Sequence, residues 1–224
     1  MSRGFYALTS GMLTQQRKID ISGNNLANIN TAGYKKEQAV TSNFIRAIVG
    51  NNTIHSMGAL EETGNDTDFA IMGAGFFAVD NGGQILYTRN GSFNIDEEGY
   101  LVLNNIGRVQ GEFGDIYVGG DKFDFSPGGS IIIEGEESDK IAVYDFLDYN
   151  SLRKFGEGMF LADAEPELVE YPTISNKTIE RANVDIAEEL TDMLSSQRAL
   201  QTASQAFKIY DMINDKAVNE IGKI

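Results

Sequence analysis

The chain has 224 residues, of which 42% are hydrophobic and 10% aromatic, a composition typical of a globular protein with one or two domains. Its formal net charge of −15 at pH 7 disfavours nucleic acid and anionic membranes as partners, because both are polyanions. The absence of cysteine excludes disulfides and thiolate metal sites, and we expect neither a metal nor a cofactor. No run reaches the roughly 18 apolar residues of a membrane span.

Residues 1–38 are predicted to form a helix followed by a turn. Every third or fourth position carries a mostly apolar side chain, as on one face of a helix: Phe5, Leu8, Met12, Gln15, Ile19, Ser22, Leu26 and Ile29. We expect Gly33 to cap this helix in the left-handed conformation and residues 39–65 to form an irregular linker. Because the first residues lack the apolar core and cleavage site of a secretory signal, we expect any export to proceed without a cleaved Sec signal.

Short apolar runs separated by turn signals predict a compact all-β domain at residues 66–172. The clearest pattern is a hairpin at residues 92–103, whose strands flank the turn Asp96-Glu97-Glu98-Gly99. Another turn signal, Asp80-Asn81-Gly82-Gly83, separates two further strands. Residues 173–182 are predicted to be a connector.

Residues 183–224 are predicted to form a longer helix with a stronger apolar stripe. Asp185 and Glu188 fit a capping arrangement, and Asn183 is the alternative cap. A helix of this length needs a partner surface, because helix propensity alone does not hold it together in water. The predicted fold class is therefore α+β, with long N- and C-terminal helices in a coiled-coil-like layer and a central all-β domain.

The sequence indicates no catalytic residues. His55 is the only histidine, and the pair of acid and nucleophile that would accompany a catalytic histidine is missing from its polar loop, so we expect an ordinary surface histidine. Gly73-Ala74-Gly75 lacks the third glycine of a dinucleotide fingerprint and is not followed by the lysine of a P-loop. We interpret it as a bend that lets two strands pack closely.

Two acidic clusters are the remaining candidates for chemistry. Asp96-Glu97-Glu98 is too short for a calcium loop, and we interpret it as a solvated hairpin turn. The cluster at residues 134–139 is also typical of a turn, although a weak cation site there stays open. A pair of carboxylates for glycoside hydrolysis stays open as well, but the absence of tryptophan removes one common aromatic platform for sugars.

Three segments of the sequence closely resemble bacterial flagellar axial proteins. One covers residues 10–35 and has an Asn-Asn-Leu-Ala-Asn run at its core, one lies within residues 67–102, and one contains Asn-Val-Asp followed by Ser196-Gln197-Arg198-Ala199-Leu200. The signature residues are Asn24, Asn25, Leu26, Ala27, Asn28, Thr31, Gly33, Tyr34, Asn183, Val184 and Asp185. The segments occur in the family's order, so the chain is identified by resemblance as a member of the flagellar basal-body rod protein family.

The resemblance implies a structural subunit rather than an enzyme, located in the flagellar basal body within the cell envelope. Such a subunit is exported unfolded through the flagellar type III apparatus. It polymerises helically with copies of itself and with other rod and hook proteins into the drive shaft required for motility, and heterologous contacts that do not close into a ring produce such filaments. Two alternatives stay open: a short hook-type axial protein, or a ligand-binding or enzymatic β-domain with helical appendages.

Eight apolar residues on the predicted helices are our candidates for subunit packing. They are Leu8, Met12, Ile19, Leu26, Leu190, Leu200, Phe207 and Ile221. The apolar periodicity by itself also allows the two helices to pack only on their own β-domain, so this alternative stays open.

Overall fold

A computed structural model describes residues 3–41, 48–104, 106–120, 123–126, 128–133, 135–156 and 158–221 of this chain. The chain divides into two compact units, which we call the helical unit and the β unit. The helical unit comprises residues 1–27, 36–54 and 184–224, and the β unit comprises residues 28–35 and 55–183. Each unit is therefore assembled from segments that are distant in the sequence.

The described residues of the helical unit form two long helices and two strands. They are α1 (Arg3–Ala27), β1 (Glu37–Thr41), β2 (Ile48–Thr53) and α2 (Ile186–Ile221). The helices run antiparallel: near the start of α1 the ring of Phe5 lies 5.4 Å from that of Phe207, and near its end Asn25 contacts Glu189. The two predicted helices are confirmed, whereas their pairing as a coiled coil stays a prediction. Within the described ranges, no helix combines the length and apolar character needed to cross a membrane.

The start of α2 is capped by a side chain. Asp185 Oδ1 accepts hydrogen bonds from the backbone N–H groups of Ala187 (2.8 Å) and Glu188 (3.0 Å). These bonds satisfy donors that the first turn of a helix leaves without an intrahelical partner. The predicted cap at Asp185 is therefore confirmed, and the alternative at Asn183 is wrong.

The β unit contains the remaining strands and one short 3₁₀ helix, at Tyr149–Ser151. The strands are β3 (Leu60–Glu62), β4 (Phe69–Ile71), β5 (Phe76–Asp80), β6 (Ile85–Thr88), β7 (Asn94–Ile95), β8 (Leu101–Leu103), β9 (Gly107–Val109), β10 (Asp124–Phe125), β11 (Ser130–Ile133), β12 (Glu136–Lys140), β13 (Val143–Asp145), β14 (Leu152–Lys154), β15 (Met159–Ala162), β16 (Glu167–Leu168), β17 (Ile174–Asn176) and β18 (Thr178–Glu180). This multi-strand centre and the two helices confirm the α+β class.

The largest sheet follows the order β14-β15-β6-β5-β9-β8-β7, and β13 pairs with both β5 and β16. Its pairs are antiparallel, and β5 and β6 form a hairpin in which Asp80 lies opposite Ile85. Smaller sheets are formed by β10-β11-β12, by β17 with β4 and by β18 with β3. Strands that lie far apart in the sequence thus close the β unit.

The core of the β unit lies on both faces of β5. Phe77 and Val79 belong to one buried cluster, whereas Phe76 and Ala78 belong to another, because successive side chains of a strand point to opposite faces. Full burial of a valine or phenylalanine side chain contributes roughly 1.5–3 kcal/mol to the stability of the fold. The first cluster also contains Phe69, Ile71, Phe93, Leu101, Leu103, Val109, Ile116, Val118, Ile131, Ile141, Val143 and Ile174.

The segment expected to be an irregular linker contains regular structure. β1 and β2 pair antiparallel, with Glu37 opposite Thr53 and Val40 opposite Gly50, and β3 also begins before residue 66. The expectation of an irregular stretch at residues 39–65 is therefore wrong for these strands. The sequence did not predict β2 because it contains the polar residues Asn51 and Asn52, whereas strands are predicted from alternating β-branched and aromatic residues.

Gly75 explains the bend before β5. It has φ = +109°, and a Cβ atom built on it would lie 2.6 Å from Val143 Cγ1. Only glycine fits this backbone conformation and this close approach at no steric cost. The interpretation of Gly73-Ala74-Gly75 as a bend for close strand packing is confirmed.

We predict that Lys177→Gly raises the free energy of unfolding by up to about 1 kcal/mol, because Lys177 holds the left-handed conformation that is unfavourable for residues with a Cβ atom. Lys177 has φ = +57°, and its ion pair with Asp66 is exposed, so loss of the ammonium group costs little. Urea denaturation of the full chain measures the change.

Lys177→Ala is the matched control, because it removes the same ammonium group but keeps a Cβ atom at this φ. We expect no gain in stability from the alanine variant. A glycine variant no more stable than the alanine variant would show that this backbone conformation stores no strain.

Candidate functional site

In the acidic turn between β7 and β8, the carboxylates of Asp96 and Glu98 contact other groups of the protein. Asp96 Oδ1 accepts hydrogen bonds from the backbone N–H groups of Tyr100 (2.8 Å) and Glu98 (3.0 Å), which hold the pKa of Asp96 below its usual range. Arg108 lies 3.3 Å from Asp96 and 2.5 Å from Glu98. Arg108 thus supplies a cation to this turn. Across the part of the chain that the structure describes, no group of three or more histidines and carboxylates is placed to hold a metal ion.

A buried charge cluster is the main polar feature inside the β unit. Lys35 Nζ lies 2.5 Å from Glu180 Oε1, and Arg89 Nη1 lies 3.3 Å from Glu180 Oε2. Their side chains are at most 4% exposed. Burial lowers the pKa of Lys35, and the attraction of Glu180 opposes this effect. One carboxylate therefore compensates two cations in a place where an unpaired charge is costly.

Backbone groups complete the coordination of this cluster. Lys35 Nζ donates to the carbonyl of Ser56 (2.8 Å), and Arg89 Nη2 donates to the carbonyl of Gly73 (2.6 Å). The N–H of Gly58 donates to Glu180 Oε1 (2.8 Å). Such bonds satisfy donors and acceptors that burial removes from water. The cluster consequently ties together five chain segments of the β unit.

The signature residues Gly33 and Tyr34 lie beside the cluster. The N–H of Gly33 donates to the carbonyl of Glu180 (2.7 Å). A Cβ atom on Gly33, which has φ = +68°, would lie 2.2 Å from the backbone carbon of Arg89. Tyr34 is buried, and Lys154 Nζ lies 4.4 Å from the centre of its ring, a cation–π distance. A larger residue at position 33 would separate these backbones.

The expected role of Gly33 as a helix cap is wrong. Gly33 does have a left-handed conformation, but α1 ends at Ala27, and the N–H of Gly33 bonds to β18 instead of to a helix carbonyl. The local sequence predicted the φ of Gly33 correctly. Its hydrogen-bond partner lies almost 150 residues away, so no local pattern could identify it.

Asn183 brings the C-terminal signature to the same place. Its Nδ2 donates to Ser56 O (3.0 Å) and Ser56 Oγ (3.1 Å), and its backbone N–H donates to the carbonyl of Tyr34 (3.3 Å). Signature residues from the two ends of the sequence therefore meet inside the β unit. The sequence identified both segments but gave no sign that Ser56 joins them.

Asn25 joins segments that are distant in the sequence inside the helical unit, as Asn183 does inside the β unit. It is fully buried; its Nδ2 donates to the carbonyl of Glu37 (2.9 Å) and to Glu189 Oε1 (3.0 Å), and its Oδ1 accepts from the N–H of Glu37 (2.9 Å). One side chain of α1 thus fixes the start of β1 and the first turns of α2. A buried polar residue with all its partners present specifies one arrangement of its neighbours.

The other signature residues lie outside the buried charge cluster and differ in how far they are buried. Asn28 is buried, Leu26, Thr31 and Val184 are half-buried, and Asn24 and Ala27 are exposed. Thr31 N–H donates to the carbonyl of Asn28 (3.0 Å), which shapes the turn after α1. Asp185 is the cap of α2 described above.

The eight candidate packing residues fall into three groups. Six are half-buried within the helical unit: Leu8, Met12, Ile19, Leu26, Leu200 and Phe207. Leu190 is 42% exposed, so much of its surface is open to water. The side chain of Ile221 lies outside the described residues.

Large apolar side chains remain exposed along α2. We call this set the outer stripe, and its members are between 42% and 61% exposed: Ile186, Leu190, Leu194, Ile209, Met212 and Ile213. The first three recur at intervals of four residues and so lie on one face of the helix. At the other end of the helix pair, an apolar groove of about 400 Å³ is lined by Phe5, Thr9, Met12, Leu13, Gln16, Leu200 and Phe207.

The expectation of an ordinary surface histidine at position 55 is wrong. The ring of His55 packs against those of Phe76 (5.8 Å), Tyr149 (4.9 Å) and Phe160 (5.3 Å). Burial, together with the nearby charges of Lys35 and Arg89, lowers the pKa of His55 to about 4. The aromatic contacts come from two strands and a 3₁₀ helix that are distant in the sequence, which is why the polar loop around His55 did not reveal them.

Three family models match separate parts of the chain. Residues 5–35 match a model described as flagella basal body rod protein, residues 70–141 match the flagellar hook protein FlgE/F/G D1 domain, and residues 175–220 match the flagellar basal body rod FlgEFG protein C-terminal model. The first and last matches contain the segments that meet at Ser56.

Several curated proteins are similar to this chain over nearly its whole length. The flagellar basal-body rod protein FlgG of Bacillus subtilis is 30% identical, with 98% of this chain and 99% of the relative covered. FlgG of Agrobacterium fabrum is 28% identical, with 93% and 95% covered. The flagellar hook-basal body complex protein FlhO of Bacillus subtilis is 26% identical, with 100% of both chains covered.

We predict that Glu180→Gln lowers the free energy of unfolding by roughly 3–5 kcal/mol, because it leaves two buried cations without their counter-charge. Urea denaturation of the full chain measures the change. Glu61→Gln is the matched control, since Glu61 lies 3.3 Å from Arg181 in an exposed ion pair and its loss should cost at most about 1 kcal/mol. Equal effects of the two substitutions would contradict the assignment of Glu180 as the counter-charge.

We also predict that His55 makes the protein less stable as the pH falls from 7 to 5. The unfolded chain binds a proton on His55 below about pH 6.5, whereas the folded chain does so only near pH 4. The contribution of His55 to stability is thus fully present above pH 6.5 and is lost as the pH falls towards 4.

In His55→Phe, the loss of stability between about pH 7 and pH 5 should be smaller by on the order of 1 kcal/mol. The ring of phenylalanine fills a similar space but binds no proton. Urea denaturation at the two pH values measures the difference. The same pH dependence in both proteins would show that His55 is not held neutral by the fold.

Proposed function

The chain belongs to the flagellar basal-body rod protein family, and on that premise we propose that it is a rod subunit that polymerises helically with copies of itself and with other axial proteins. The observation that carries this proposal is the outer stripe of α2. A structural role in the basal body, required for motility, follows from the family. A contact between different surfaces of successive subunits leaves each end of the polymer open to growth.

The outer stripe supports assembly through α2. Monomeric proteins rarely expose large contiguous apolar surfaces, and such surfaces commonly mark interaction sites. Leu194 is 55% exposed and Met212 is 61% exposed, so α1 leaves both available to another chain. An apolar side chain of this size contributes roughly 1.5–3 kcal/mol when it becomes fully buried, so burial of the stripe in a polymer would favour assembly.

The N-terminal helix offers a second apolar surface. Tyr6 and Leu13 are exposed on α1, and Leu13 lines the apolar groove with Phe5 and Phe207. We propose that apolar side chains of a neighbouring subunit enter this groove. Two different apolar surfaces on one chain suit the heterologous contacts of an open filament.

We propose that the eight packing residues work in two ways. The six half-buried residues, with Phe5 beside Phe207, pack α1 against α2 and so shape the surface presented to neighbours. Leu190 and the remainder of the outer stripe pack between subunits. Ile221, at the end of α2, stays a proposed contact residue on sequence grounds alone.

Family membership also supports a route to the basal body. We propose that the chain is exported unfolded through the flagellar type III apparatus, without a cleaved Sec signal, and folds as it assembles. The segments of each unit that are distant in sequence must then come together at the growing end. Rod is proposed over hook because the relatives matched over nearly their whole length include rod proteins.

We predict that Leu194→Asp strongly reduces assembly but leaves the monomer folded. Leu194 is exposed in the monomer, so a carboxylate there stays in water, whereas in a polymer it would be buried without a partner. The amount of the variant in purified basal bodies should fall by at least about tenfold, since a buried unpaired charge costs several kcal/mol. Swimming in soft agar reports the same loss.

Ala199→Asp is the matched control. Ala199 is also exposed on α2 but lies about 140° around the helix axis from Leu194, given 3.6 residues per turn. We expect this variant to assemble and to support motility. Normal assembly of Leu194→Asp, with both variants equally stable to heat, would rule out the outer stripe as a subunit interface.

A further inference from the structure

The sequence contains two Asn-Gly pairs, Asn81-Gly82 and Asn90-Gly91. In such a pair the backbone nitrogen of the glycine is unusually accessible to the asparagine side chain, because glycine has no Cβ atom to block the approach. The reaction also requires the asparagine amide and the following peptide to move freely towards each other. Identical dipeptides in one chain can therefore react at very different rates in the folded state.

The first pair lies in an open turn between β5 and β6. Asn81 is exposed, and its backbone exchanges hydrogen bonds with Gln84 across the turn, at 2.9 Å and 3.4 Å. Gly82 has φ = +63° and Gly83 has φ = +96°, and, apart from each glycine and its two chain neighbours, no residue comes within 4 Å of where a Cβ atom would stand. The loop therefore has space for the Asn81 side chain to change its rotamer.

The second pair is held from both sides. The Oδ1 of Asn90 accepts a hydrogen bond from the N–H of Ser92 (3.0 Å), and the N–H of Asn90 donates to Thr88 Oγ1 (3.0 Å). A Cβ atom on Gly91 would lie 1.8 Å from the carbonyl oxygen of Phe69, and the carbonyl of Gly91 accepts from the N–H of Phe69 (2.9 Å). The backbone of Gly91 is thus packed against β4, and the amide of Asn90 is fixed.

We propose that Asn81 is a site of spontaneous deamidation in the folded protein, and that Asn90 is protected by the fold. The Gly82 nitrogen gives up its proton and forms a bond to Cγ of Asn81, while the bond from Cγ to the side-chain nitrogen breaks and ammonia leaves. Water then opens the resulting succinimide at one of its two carbonyl groups. Opening yields aspartate or isoaspartate, with one water consumed and one ammonia released.

The product changes the turn in two ways. Each product adds a carboxylate next to Asp80, whose Oδ1 already accepts a hydrogen bond from the N–H of Gly83 (2.6 Å). The isoaspartate product also routes the main chain through an extra methylene group, which alters a loop whose length sets the pairing of Asp80 with Ile85. The buried pair behind the turn, Val79 and Leu86, should limit the disturbance to the end of the hairpin.

The test is peptide mapping of the purified full chain after incubation in mildly alkaline buffer. Tandem mass spectrometry detects the exchange of an amide for a carboxyl group at each asparagine, and electron-transfer fragmentation separates aspartate from isoaspartate. One sample is incubated in native buffer and one in urea. Asn81→Gln is the matched variant, because glutamine must form a less favourable six-membered ring.

In native buffer we expect Asn81 to react at least about tenfold faster than Asn90, because only reaction at Asn90 requires local opening of the fold. In urea the two rates should agree within about threefold, since both asparagines precede glycine and the fold no longer separates them. The modified peptide should disappear in Asn81→Gln. If Asn81 stays unmodified in native buffer, the proposal is wrong. It is also wrong if Asn90 still deamidates much more slowly than Asn81 in urea.

Discussion

Glu180 supplies the interaction on which the β unit depends. Its carboxylate compensates Lys35 and Arg89, its carbonyl accepts from Gly33, and one of its oxygens accepts from Gly58. Because these groups are buried, leaving any of them without its partner would lower the free energy of unfolding. The early segment at residues 28–35 is therefore held to the last strand of the β unit by charge and hydrogen bonds rather than by apolar burial alone. Directional contacts of this kind allow one alignment of the two segments, whereas apolar contacts tolerate several.

The helical unit is organised by a similar buried polar contact and by a contrasting apolar surface. Asn25 aligns β1 and α2 with α1 through three hydrogen bonds. The outer stripe of α2 has no such partner inside the helical unit, since its members stay at least 42% exposed. A long helix that keeps large apolar side chains exposed to water is suited to association with further chains. This surface is the physical basis for the proposed assembly of rod subunits through α2.

The sequence predicted structure best where a pattern is local. Apolar residues at intervals of three and four predicted both helices, Asp185 predicted the start of α2 through its cap, and Gly73-Ala74-Gly75 predicted a bend. It failed where a residue's environment comes from distant strands. His55 lies in a polar loop but packs among aromatic rings, and Gly33 bonds to β18 rather than to a helix. Ser56 carried no signal at all, because its importance lies in its carbonyl and hydroxyl groups meeting Lys35 and Asn183.

The sequence by itself determined the α+β class, the two helices, the β-rich centre and the family, because periodicity, turn residues and signature motifs are readable along the chain. Only the tertiary structure decided what the signature residues do. It placed Gly33 and the adjoining Lys35 against Glu180, joined Asn183 to Ser56, and separated the half-buried packing residues of α2 from those that remain exposed. The physical reason is that burial and hydrogen-bond partners are set by contacts between segments that are distant in the sequence, and no local periodicity records which segments meet.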